Sequence, residues 1–192
     1  LDNVRGFEVA DGKLWVTCGS GTFNGQVVVF DATTRAFLFS VSLGGSPFDC
    51  FLHNGEILVP NDTSNDIDRV SLTGEFMGKF VDSTAVDAPL DFPQQLAHGA
   101  NNDVLVAEFS NINEYFRFDQ AGTLLESIDM APASGSRGVY RLGNGKVMLS
   151  TGAAIYTHEP NEGTVLLSSG NFQYINLYTP VYNVDIGPFT DN

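Results

Sequence analysis

Three oxygen-bearing side chains stand just past strongly apolar runs: Asn61 and Asp62 after Ile57 to Val59, and Glu108 after Val104 to Val106. Carboxylate and carboxamide oxygens suit Ca²⁺, a hard cation that takes about six to eight of them, so Asn61, Asp62 and Glu108 are the candidate metal ligands. The alternative is that they cap the ends of strands. Arg5 and Arg137 stand ahead of Gly6 and Gly138 in matching places. Two guanidinium groups at one mouth would clamp a carboxylate or phosphate; pairing with strand-end acids such as Asp49 is the competing reading. Cys18 and Cys50 permit one intrachain disulfide. It would close a loop of about 30 residues and stabilise by roughly 3–4 kcal/mol. Two buried free thiols acting as small apolar groups are the other possibility. His53, His98 and His158 lack metal-ligand spacing, and no Gly-x-Ser-x-Gly elbow exists to present a nucleophilic serine. Asn61-Asp62-Thr63 is also a lone N-glycosylation triplet.

What positions these residues is a repeated phrase. Phe7 to Thr17, Cys50 to Pro60, Leu96 to Ala107 and Val139 to Ser150 each run as apolar strand, Gly/Asn turn, and second apolar strand. Their turn residues Gly12, Gly55, Asn102 and Gly145 are 43, 47 and 43 positions apart. The second strands (Leu14 to Val16 and its counterparts) are nearly continuous apolar runs, as strands buried on both faces are. A third strand closes near an acid in Phe30-Asp31 and Phe118-Asp119, and a turn with Gly74, Gly122 or Gly163 leads to a fourth. Four strands per period of this length are the signature of propeller blades.

The expected fold is therefore all-β: a β-propeller with about four four-stranded antiparallel blades in this chain. The blades fall near 4–43, 44–82, 92–130 and 135–170, with a closing strand over 171–179 and a tail over 180–192. Almost no helix is expected, because no segment sustains a capped 3.6-residue apolar period. Asp82 to Pro93 is the longest irregular stretch. Three arrangements fit four units: a compact closed ring, part of a six- or seven-bladed ring, or an open arc whose bare face a second copy covers.

Bulk composition narrows the partners. With 23 acids against 9 bases and a formal charge of −14, the surface repels phosphate backbones, so nucleic acid is not an expected partner. No run approaches the roughly 18 apolar residues of a membrane span, and any export leader would have been removed before Leu1.

The phrases Asn54-Gly55, Asn144-Gly145, Phe30-Asp31 and Phe118-Asp119-Gln120-Ala121-Gly122 resemble the NHL/YVTN-like class of β-propellers, secreted bacterial type, over roughly 4–170. That class hosts enzymes, adhesins and scaffolds alike, so the resemblance implies architecture more than activity. In lactonase-like members a metal polarises a carbonyl while an acid/base residue moves the proton. Cys18 and Thr151 depart from the ligands that pattern wants. The expected function is a non-catalytic extracellular or cell-surface module for binding or structural assembly. No cofactor is expected, its partners are proteins or further copies of itself, and carbohydrate is a further candidate for its aromatic rings. The alternative is a Ca²⁺-dependent lactonase- or esterase-like hydrolase using Asn61, Asp62 and Glu108.

Overall fold

A computed structural model describes residues 1–85, 90–110, 114–131, 134–159 and 162–167, together with Phe172, Tyr174 and Ile175. It shows four antiparallel four-stranded sheets, each a simple meander, arranged as propeller blades. Blade 1 comprises β1 (Asp2–Ala10), β2 (Lys13–Ser20), β3 (Gln26–Asp31) and β4 (Phe37–Ser42). Blade 2 comprises β5 (Phe51–His53), β6 (Glu56–Asn61), β7 (Asp66–Ser71) and β8 (Phe76–Val81). Blade 3 holds β9 (Pro93–His98), β10 (Val104–Glu108), β11 (Glu114–Phe118) and β12 (Leu124–Asp129). Blade 4 holds β13 (Ser136–Arg141), β14 (Val147–Thr151), β15 (Ile155–Glu159) and β16 (Glu162–Leu167). Helical structure among the described residues is confined to single 3-10 turns at Gly21–Phe23 and Ala100–Asn102. The closing strand expected over 171–179 and the tail over 180–192 lie outside the described residues, save Phe172, Tyr174 and Ile175.

Local chemistry explains why each meander turns where it does. The four repeat markers all have positive φ: Gly12 at 68°, Gly55 at 80°, Asn102 at 62° and Gly145 at 91°. Glycine, and next to it asparagine, reach that region at least steric cost. Between third and fourth strands, the Asp31 carboxylate accepts the backbone N–H groups of Thr33 and Thr34 at 3.0 and 2.6 Å. Asp119 does the same for Ala121 and Thr123 at 2.8 and 2.9 Å. These bonds hold both acids below the usual carboxylate range.

The core lies between blades. Trp15, Val27 and Val29 of blade 1 meet Cys50, Ile57, Val59 and Val70 of blade 2. Leu58 and Ile67 on the far side of blade 2 meet Val104, Val106, Phe116 and Phe118 of blade 3. Leu105 and Tyr115 then meet Val139, Val147 and Leu149 of blade 4. Successive residues of each second strand thus serve opposite neighbours, which is why those strands are apolar throughout.

Candidate functional site

Pairing within the blades puts Phe7, Leu96 and Val139 at one level, opposite Val16, Val106 and Leu149, and Cys50, just ahead of the Phe51–Leu58 pair of blade 2, holds the same place in the repeat. One residue earlier come Gly6, Asp49, Gln95 and Gly138. Here the structure shows something the sequence did not announce. Asp49 accepts the Leu96 N–H of the next blade at 3.1 Å, and also the Cys50 N–H at 2.9 Å. Gln95 accepts the Val139 N–H of the following blade at 3.2 Å. Two positions further along β1, Glu8 accepts the Leu52 N–H of blade 2 at 3.3 Å. Each acceptor therefore clasps the innermost strand of the blade after its own. Burial pushes the Asp49 carboxyl up to about 7, against the pull of its two N–H donors, with the Glu8 charge adding to the rise.

These groups line an axial cavity of about 370 Å³ together with Phe7, His98, Tyr140, Arg141 and Ile175. Ile175 enters it by binding Gln95 twice: its N–H donates to Oε1 at 3.0 Å, and its carbonyl accepts from Nε2 at 2.7 Å. Burial lowers the pKa of His98, and His53 nearby lowers it further.

The two arginines lie at matching levels of β1 and β13, and each stacks on a phenylalanine at 4.2 Å from the ring centroid: Arg5 on Phe48, Arg137 on Phe109. Arg5 also donates to Ser46 and pairs with Asp62 at 3.5 Å. Its acid partner is thus Asp62, while Asp49 is held in the clasp. Both arginines, with Asp49 and Asp62, act on the Tyr174 hydroxyl, which burial pushes up to about 12.

The remaining sequence candidates separate. Asn61 is buried; its Oδ1 accepts the Ser46 N–H at 3.0 Å and its Nδ2 donates to the Gly44 carbonyl at 3.1 Å. Its amide stitches the loop between blades and is enclosed where a glycan would need access. Glu108 is buried one blade further on. The Ser110 hydroxyl donates to its Oε1 at 2.5 Å, and burial raises its pKa to about 7. Phe109 and Ser110, beside it, line a cleft of about 540 Å³ with Asp91, Thr151 and Tyr156. Among the described residues no group of three or more His, Cys, Asp or Glu side chains is gathered as a metal cluster. The disulfide alternative fails: Cys18 and Cys50 are both free and buried. Cys50 faces blade 1, whereas Cys18 shares a face with Val16 and Val28 on the opposite side of that blade.

On that opposite side of blade 1, β1 carries exposed apolar residues. Phe7 is 65% exposed and Val9 57%, whereas Cys50, Leu96 and Val139, which occupy the level of Phe7, are 3%, 3% and 0% exposed. Val4 and Phe37 are also exposed, whereas Val16, Cys18 and Val28 of the same face are buried, with Leu14 and Phe30 packed against them. The signal at Phe7 was present in the repeat itself, since its counterpart one period later, Cys50, is buried.

No known protein family and no curated protein matches the chain. Solved structures do. It is similar to a chain of hydrazine synthase from Kuenenia stuttgartiensis (TM-score 0.71, 16% identity), covering 89% of this chain and 51% of that one. It is similar to a streptogramin B lyase (0.63, 16%), covering 85% and 53%, and to a chain of the nidogen/laminin complex (0.71, 11%), covering 91% and 68%. Identities this low show the fold alone: the class is the β-propeller. The chain spans about half the length of the first of these structures. No described helix is long and apolar enough to cross a membrane.

Proposed function

We propose that this chain is a non-catalytic propeller module of NHL/YVTN-like type that works by binding or assembly, outside the cell or at its surface. The observation that carries the reading is the exposed apolar surface of β1 in blade 1. Phe7 stands in water at a level whose counterparts Cys50, Leu96 and Val139 are buried between blades, and Val4 and Val9 beside it are exposed. Contiguous exposed apolar surface on a soluble protein marks an interaction site. The neighbouring structures come from a lyase as well as from a complex of two proteins, so the fold is compatible with either kind of role. The test is a photoreactive phenylalanine analogue at position 7, irradiated in the producing cells, with Asn144 as the exposed control site. A covalent protein adduct at position 7 and none at 144 is the expected result; no adduct at either removes the reading.

One feature supports the alternative of a Ca²⁺-dependent hydrolase. Glu108 carries a buried carboxyl titrating near neutrality beside a cleft, as a proton-shuttling group would. Ligand binding to the folded state raises its stability. Millimolar Ca²⁺ raising the melting temperature of the wild type but not of Glu108→Gln would support it. No change in the wild type would dismiss it.

A further inference from the structure

We propose that the cleft at the ends of blades 3 and 4 binds a neutral carbohydrate. The rings of Phe92 and Phe109 lie against the C–H faces of the sugar, and Asp91, Ser110 and Ser134 take its hydroxyls. This site is separate from the exposed strip of β1 and adds a ligand to the protein partner read from that strip.

The aromatic rings come first. Asp91 and Phe92 lead into β9, Phe109 and Ser110 leave β10, and Ser134 and Gly135 lead into β13, so one cleft of about 540 Å³ gathers strand ends from two blades. Small-molecule sites are clefts of roughly 300–1,000 Å³. Phe92 is 46% exposed and Phe109 41%. Phe92 has φ 57°, a left-handed conformation that a bulky side chain enters only under constraint. The constraint is Asn65 of blade 2. Its Oδ1 accepts the Phe92 N–H at 3.0 Å, and its Nδ2 donates to Asp91 Oδ1 at 3.3 Å. The Phe92 carbonyl in turn accepts the Phe109 N–H at 3.0 Å, which ties the two ring-bearing segments together. Backbone strain thus holds one phenyl ring in solvent beside a second. Gly135, at φ 60°, meets Phe109 with bare backbone, where a Cβ would lie 3.4 Å from ring carbon Cδ2.

The polar groups come second. The Ser110 hydroxyl donates to Glu108 Oε1 at 2.5 Å, which leaves its oxygen lone pairs for a ligand O–H. Asp91 is anchored through one oxygen, and a carboxylate has about four acceptor sites. Arg137 stacks on Phe109, and a Cβ on Gly152, another lining residue, would stand 3.9 Å from its Nη2. Glu108 Oε2 and Arg137 Nε are buried with no hydrogen-bond partner among the described residues. Buried polar atoms are ordinarily paired, so two such atoms beside one cleft favour a polar occupant.

Charge decides its kind. The Arg137 guanidinium and the Asp91 carboxylate border the cleft with opposite signs, so neither an anion nor a cation is favoured throughout. The net charge of −14 repels anions at a distance as well. A neutral polyhydroxyl ring, apolar on its C–H faces and polar around its edge, matches both the phenyl rings and the hydroxyl-bearing rim.

The experiment is saturation-transfer NMR and calorimetric titration of the 192-residue chain with maltotriose, cellotriose, mannotriose and chitotriose into the millimolar range. Trigalacturonate and benzyl alcohol are run beside them as anionic and apolar probes. Phe92→Gly deletes one ring and agrees with the left-handed backbone; Phe109→Leu deletes the other. Phe76→Ala, exposed on the outer strand of blade 2, is the control. Circular dichroism checks that each variant is folded. At least one neutral trisaccharide is expected to bind, saturated through its ring C–H protons. Each ring deletion should weaken that binding about threefold to tenfold, and Phe76→Ala should leave it unchanged. Binding by none of the four neutral sugars overturns the inference. So does binding that neither ring deletion weakens, or a preference for trigalacturonate or benzyl alcohol over all four. The position-7 adduct is read elsewhere on the molecule, so either result can fail without the other.

Discussion

Asp49 offers the sharpest test of the inter-blade clasps. Its carboxyl titrates at about 7 when folded and near the ordinary 3.8 when unfolded, because burial disfavours the charge. The folded state therefore holds its proton longer. This contribution to stability is complete below the unfolded pKa, shrinks as pH rises, and is gone above about 7. One pKa unit corresponds to about 1.4 kcal/mol, so the full shift is at most about 4 kcal/mol, and roughly half that with solvent screening of a partly exposed residue. Asparagine at this position has nearly the same shape and does not titrate. Near pH 4 the Asp49→Asn variant should lie within about 1 kcal/mol of wild type, since each keeps one good acceptor for two N–H donors. Its stability relative to wild type should then climb by about 2–4 kcal/mol up to pH 8. Urea unfolding at unit pH steps measures the difference, and Glu108, which has a similar shift, cancels because both proteins contain it. A difference independent of pH would refute the burial assigned to Asp49.

Leu96→Ala should lower stability by about 2–4 kcal/mol, whereas Phe7→Ala at the same level should cost under about 1 kcal/mol in dilute protein. Equal losses in dilute solution would contradict the exposure of Phe7. Gly6→Ala should cost about 2–3 kcal/mol, since the added methyl would lie 2.5 Å from Asp49 Cα and 2.8 Å from the Phe48 carbonyl oxygen. A neutral outcome in urea unfolding would mean that blades 1 and 2 sit further apart. Lys79 bridges Asp66 and buried Asp68 at 2.8 and 2.5 Å. Lys79→Met should remove about 2–3 kcal/mol at neutral pH, by stranding the Asp68 charge. Burial holds the Asp68 pKa above the ordinary value, so the loss should shrink as pH falls and that carboxylate takes a proton. A loss unchanged by acid would assign the effect to packing instead.

The blades were legible because their signal is local and repeated. An apolar run flanked by a turn residue of positive φ, as at Gly12 and Gly145, specifies strand, turn and strand without knowledge of the rest. Contacts across a whole period were not legible. Nothing in the neighbourhood of Gln95 shows that its side chain will hold both Val139 and Ile175. Asn61 and Glu108 follow their apolar runs alike, yet one stitches a loop and the other sits with Ser110, because different segments cross each strand end. The cysteines show the same limit. Alternation along β2 puts Cys18 and Trp15 on opposite faces, but only the order of the blades in space tells which face meets Cys50.

The clasps also have a direction in time. Glu8 precedes its recipient Leu52 by 44 residues, Asp49 precedes Leu96 by 47, and Gln95 precedes Val139 by 44. On a ribosome, where the amino-terminal end emerges first, every acceptor is already outside when the amide it will hold appears. A waiting carboxylate or carboxamide is well hydrated and loses little by the delay. Each finished meander would thus act as a template on which the next can dock, one after another in the order of translation.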